Sequence, residues 1–153
     1  MTIDIDEMNQ SLRRLECSPE ARLWQVAYDK LSVPERVFVS VWELEAEVNN
    51  GGFQQYFLNG SGRIAPHAVA ALRAVRAEAM AKIVERAFLA VDQDIPWLND
   101  VERRSRLSGL TPGAADALDR LDREFYAYPD NLTALLYQYV AEYRDEIAGA
   151  AEF

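Results

Sequence analysis

The sequence is short of the residues that most site chemistry needs. It holds one cysteine, Cys17, and one histidine, His67. A lone thiol forms no internal disulfide, so the cytoplasm is the expected compartment. One thiol and one imidazole fall short of a structural zinc site's four nitrogen and sulfur ligands. The carboxylates show no EF-hand-like loop spacing, so neither a metal nor any other cofactor is expected. No apolar run approaches the ~18 residues that a membrane span requires. The opening MTIDIDEMNQ is acidic, without the basic and apolar regions of a secretory leader. A glycine-rich phosphate loop and a nucleophile elbow are both missing. Cys17 has no adjacent base and His67 no triad partner, so a non-enzymatic role is expected.

Basic residues are the other shortage. Sixteen Lys and Arg face 25 Asp and Glu in 153 residues, for a net charge of −9. Residues 1–50 hold 10 acids and 5 bases, residues 51–90 hold 2 and 5, and residues 91–153 hold 13 and 6. The segments therefore carry −5, +3 and −7. Such a chain repels nucleic acid and anionic membranes, while its acidic ends attract a basic partner. Solubility alone is the plainer account of the same charge.

Helical patterning fills most of the length. Ser18-Pro19-Glu20 reads as an N-cap, opening a helix with Leu23, Ala27 and Leu31 on one face and Trp24 and Tyr28 beside them. Ser32 and Glu35 have capping-box spacing, and Val37, Val41, Leu44 and Val48 follow as one stripe ended by Asn50 and Gly51. Pro66 starts a further helical stretch to Val91, in which the periodicity leaves one helix or two open. A short helix is predicted near 100–108, another after Thr111-Pro112 with Leu118, Leu121 and Phe125, and a last one from Leu132 to Ile147. No segment alternates with period two over a convincing length, so no sheet is expected. The fold class is all-α. Residues 1–17 are set apart as an N-terminal segment with room for a short helix, and residues 18–153 form one compact domain of about six to eight helices.

The oddest stretch is VNNGGFQQYFLNGSG, residues 48–62. Gly51 and Gly52 permit a sharp reversal, and Phe53, Tyr56 and Phe57 then share one face at i, i+3 and i+4. So short a helix needs its rings buried to persist. The amides of Asn49, Asn50, Gln54, Gln55 and Asn59 would cap the crowded helix ends, or Gln55 and Asn59 would line a polar pocket.

ELEAEVNNGGFQQYFLNGSG resembles the bacterial DNA-mimic protein family, whose motif reads N-G-G-F-x-Q-[YF]-F-x-N. It falls on Asn50, Gly51, Gly52, Phe53, Gln55, Tyr56, Phe57 and Asn59, and the likeness extends over roughly residues 20–148. The resemblance implies an all-α fold. It also implies a protein that copies the charge layout of DNA and occupies the DNA-binding face of a basic protein such as a transcription factor. Relatives often have glycine where this chain has Arg76. The mimicry belongs to surface carboxylates rather than to the motif, so the motif carries the fold further than the activity.

A DNA-like surface needs carboxylates in rows. The candidates are Glu43, Glu45 and Glu47 on one helix, Asp116, Asp119 and Asp122 on another, and Asp92, Asp94 and Asp100 between them. Pairing of Asp116 with Arg120 and of Asp119 with Arg123 would explain the second row without a partner. The three glutamates crowd a helix C-terminus, where the macrodipole disfavours them, so Arg63, Arg73 or a basic partner should offset them. Two other roles stay open: an immunity-type inhibitor of a basic toxin, and an enzyme using Glu43 and Glu47. A homodimer is also open.

Overall fold

Asp4 opens the first helix by accepting the Glu7 N–H at 2.9 Å. Helix α1 runs Ile5–Cys17 and buries Leu12 and Leu15. The computed structural model describes residues 3–21 and 23–153. The helix expected from Ser18 does not form. The Ser18 hydroxyl accepts the Glu20 N–H at 3.2 Å, but the described residues of the stretch make only turns and a 3-10 turn at Tyr28–Lys30. Its side chains are tied to different elements instead. The Trp24 indole N–H donates to the Glu16 carbonyl at 3.2 Å, while Tyr28 bonds the Ser40 hydroxyl at 3.0 Å and stacks on His67. Those long-range anchors override a weak local preference for helix.

Helix α2 (Val33–Leu58) begins with the predicted capping box. Ser32 Oγ accepts the Glu35 N–H at 3.2 Å, and the Glu35 carboxylate accepts the Ser32 N–H at 2.9 Å. Its predicted valine and leucine stripe is buried. The helix breaks at Gly51 and Gly52, where only Gly52 is left-handed (φ 77°), one residue past the predicted cap.

Pro66 lies in a 3-10 turn, after which come α3 (Ala68–Ala74) and α4 (Glu78–Leu89), so the 66–91 stretch is two helices. Arg76, at φ 69°, makes the break. The Ala77 N–H reaches the Leu72 carbonyl at 2.8 Å and the Arg76 N–H the Arg73 carbonyl at 3.0 Å, the paired bonds of a Schellman cap. That position normally suits glycine. The left-handed conformation costs a non-glycine residue about 1–2 kcal/mol, against roughly 0.4–1 kcal/mol of unfolded-state entropy for glycine. Arg76→Gly is therefore expected to stabilise the protein by about 0.5–1 kcal/mol in urea unfolding. A loss of stability would show that the arginine side chain contributes more than its backbone costs.

Helices α5 (Asp100–Ser108), α6 (Pro112–Tyr126) and α7 (Leu132–Glu142) complete the fold, each started by the Asn99, Thr111 or Asn131 side chain. The last helix stops short of its predicted end: a 3-10 turn at Arg144–Glu146 carries the chain to the buried Ile147. Seven α-helices and no strand are present among the described residues, within the expected count. Helix α2 is the axis, packed on α3, α5, α6 and α7, while α1 lies on α7.

Candidate functional site: the motif corner and its carboxylates

The motif builds a corner. Residues 53–58 make less than two helical turns, and Phe53, Tyr56 and Phe57 are all fully buried. Phe57 meets Phe88 and Trp97 at 5.2 Å each, and Phe53 meets Phe125 edge-on at 5.9 Å. The predicted burial of the three rings is observed.

The amides do not cap this short helix as expected. Charged residues from other helices do so instead. At its start, the Asp122 carboxylate of α6 accepts the Phe53 N–H at 2.8 Å. That carboxylate lies directly over Gly52, where a side chain would collide with it, so glycine is required there twice: for the positive φ and for the close approach. At its end, the Arg103 guanidinium of α5 donates to the carbonyls of Phe57 (2.9 Å), Asn59 (3.0 Å) and Trp97 (2.6 Å), and to Asp100 at 2.8 Å. Arg103 is 0% exposed, and a side chain on Gly62 would strike both it and the Phe57 carbonyl. Arg104 adds a bond to the Leu58 carbonyl at 3.2 Å.

The motif amides serve the glutamates. Glu47 accepts from Gln55 at 2.7 Å and from Asn59 at 3.0 Å, across the Gly-Gly break. Glu45 accepts from the Tyr128 hydroxyl at 2.7 Å, and Asn49 donates to that same oxygen at 2.6 Å. Burial and the adjoining Glu45 push the Tyr128 phenol up to about 12. These neutral donors offset the unfavourable helix-end position of two glutamates. Arg63 and Arg73 do not. Arg63 pairs with Asp100 at 3.5 Å, and Arg73 with Glu78 and Glu85 at 3.2 and 2.6 Å. Asn50 is exposed and has no side-chain bond among the described residues.

Glu43 differs from its neighbours. It is half-buried and has no hydrogen-bond or ion-pair partner among the described residues. Burial raises its carboxyl above the usual range, with Glu47 and Glu16 adding to the effect. An acid raised in the folded state contributes stability below its unfolded pKa and loses it as pH rises through the folded value. Glu43→Gln is therefore expected to raise the melting temperature at pH 7, with the gain shrinking as pH falls toward 4. An equal gain at both pH values would contradict this reading.

The remaining candidates divide. Asp94 pairs with Arg106 at 3.2 Å and Asp100 with Arg103 and Arg63, while Asp122 holds Phe53. The expected Asp116–Arg120 and Asp119–Arg123 pairs are not among the ion pairs of the described residues. Asp92, Asp116 and Asp119 are exposed and engage no described partner, which leaves them available. No cluster of three metal-ligating side chains occurs among the described residues, nor any helix long and apolar enough to cross a membrane.

Arg103 was not legible in the sequence: its partners lie up to 46 residues away, and its spacing of four from the buried Leu107 is the only local sign. The individual acids at the chain ends carry no local signature either. Helix α1 packs on α7, and the tail beyond α7 shares a cavity of about 450 Å³ with α1. The described acids of the two terminal stretches are Asp4, Asp6, Glu7, Glu16 and Glu20, and Glu142, Asp145, Glu146 and Glu152, with Arg13, Arg14 and Arg144 as the described bases. Glu20, Glu152 and Arg14 line the shared cavity, while Asp4, Asp6 and Glu7 lie at the opposite end of α1. No ion pair joins any of these groups among the described residues.

The structure is an all-α scaffold with a packed corner and carboxylates left at its surface. The profile of the DMP19-like protein family matches residues 29–143, about three-quarters of the chain, and the protein belongs to that family. The family is one of DNA mimics, not of enzymes. Neither the curated proteins nor the solved structures yielded a match to the chain.

Proposed function

We propose that this protein acts as a DNA mimic, docking its carboxylates on the nucleic-acid-binding face of a basic protein such as a transcription factor. One observation carries the reading: α1 lies against α7, and Glu20 from the first anionic stretch lines one cavity with Glu152 from the last. In these two terminal stretches the described acids outnumber the described bases nine to three. Carboxylates that form no internal ion pair keep their field available to a partner. Asp92, Asp116 and Asp119 extend the available set, whereas Asp94 and Asp100 are engaged by arginines and Asp122 by the Phe53 N–H. The motif residues Asn50, Gly51, Gly52, Phe53, Gln55, Tyr56, Phe57 and Asn59 serve as scaffold in this account.

Affinity capture of a DNA-binding partner tests it. Raising salt from about 0.1 M to about 1 M cuts the screening length from about 10 Å to about 3 Å, so capture should fall steeply. The combined Glu142→Lys, Asp145→Lys and Glu146→Lys variant should lose the partner while keeping the wild-type helical signal. Retention by that variant, or at high salt, would refute the role.

A further inference from the structure

Between the 18–31 connection and the turn at Gly60–Arg63 lies a second cavity, of about 220 Å³. Leu23, Val26, Val39 and Ile64 give it apolar walls, and Trp24, Tyr28 and Glu43 also line it. The Trp24 ring is 42% exposed, yet its indole N–H is held by the Glu16 carbonyl, so the ring is positioned rather than loose. Glu43 is the cavity's one carboxylate among the described residues. Its lining cation, Arg63, is already engaged with Asp100 and the Leu98 carbonyl. The Tyr56 hydroxyl, outside the lining, is fully buried with no hydrogen-bond partner among the described residues. The Tyr28 hydroxyl is bonded to Ser40 and does not serve it.

A largely apolar cavity with one half-buried carboxylate and one fixed aromatic ring suits a particular guest. A neutral apolar guest would strip water from Glu43 and leave its charge unpaired. A metal ion would find a single carboxylate, too few oxygens for a hard cation. A long alkyl chain ending in a cation suits the apolar walls, the ring and the carboxylate at once. We propose that this cavity receives one arginine or lysine side chain of the basic partner, its methylene stem along Val39 and Ile64 and its cationic head between Glu43 and Trp24. The proposal rests on the docking reading above and adds an anchoring point to it. The head makes a charge-assisted hydrogen bond to Glu43 and a cation–π contact with Trp24. A buried, desolvated anchor of this kind dominates affinity in an interface whose rim charges mainly steer encounter.

The test needs no partner at first. The probes are n-butylguanidinium and n-butylammonium, with n-butanol as the neutral counterpart, read by the NMR shift of the Trp24 indole N–H, assigned through Trp24→Phe. Saturable cation binding is expected, weakened about tenfold or more by Glu43→Gln and unchanged by Glu124→Gln, which removes a carboxylate paired with Arg86. Non-saturating shifts, equal shifts with n-butanol, or indifference to Glu43→Gln would overturn the proposal. Such a failure leaves the acidic-surface docking standing, because that reading is judged on partner capture by the tail variant. Once a partner is in hand, Glu43→Gln should lower its affinity by a similar factor. An unchanged affinity would assign the cavity to another occupant and overturn the anchor.

Discussion

Arg103→Ala is expected to lower stability by about 3–5 kcal/mol, because it removes a buried cation that several groups depend on. The loss has two parts. The carbonyls of Phe57, Asn59 and Trp97 each lose a charged donor, and Asp100 loses its closest counter-charge. Truncation also leaves space where a 0%-exposed side chain had filled the interior beside Gly62. For a domain of this size the drop corresponds to roughly 6–20 °C in melting temperature. Arg103→Lys should recover only part of it, since an ammonium cannot reproduce the guanidinium fork that spans carbonyls on two segments. Melting curves of both variants decide the matter. If alanine cost less than about 1 kcal/mol, the clamp would be decorative and the 53–58 helix would owe its persistence to the rings alone.

Phe57→Ala is the second large effect, expected at about 3–5 kcal/mol. Phe57 touches four aromatic rings, among them Phe88 and Trp97, which also meet each other at 5.3 Å. The cluster joins α2, α4 and the connection before α5, so a void at its centre loosens three segments together. The near-ultraviolet signal of the aromatic rings should weaken along with stability. An unchanged melting temperature would mean that the ring's burial contributes nothing to the fold.

These two residues also show what sequence could and could not display. Phe57 was legible, since rings at i, i+3 and i+4 after a Gly-Gly break have no stable place except a core. The capping box at Ser32 and Glu35, the α5 helix and the Thr111-Pro112 start were legible for the same reason: each signal lies within one turn of helix. Arg103 was not. Its partners are separated from it by up to 46 residues, and Asp122 from Phe53 by 69, distances over which periodicity carries no information. The 18–31 stretch failed in the opposite sense, where a plausible local cap lost to anchors on Glu16, Ser40 and His67. Arg76 shows a third case: the helix break survives without glycine because the Schellman bonds over-determine it.

The carboxylates follow the same division. Spacing placed Glu43, Glu45 and Glu47 on one helix but could not reveal that Gln55, Asn59 and Tyr128 hold two of them. Glu43 remains with the chain-end acids, Asp92, Asp116 and Asp119 as the groups open to a partner.

Competition with DNA is the measurement that bears most directly on the central claim. A captured DNA-binding partner is loaded with fluorescently labelled duplex, and this protein is added while anisotropy is followed. The account predicts that the duplex is released as the protein binds, and that the triple lysine variant of Glu142, Asp145 and Glu146 fails to release it. A stable complex holding the partner, the duplex and this protein together would contradict it.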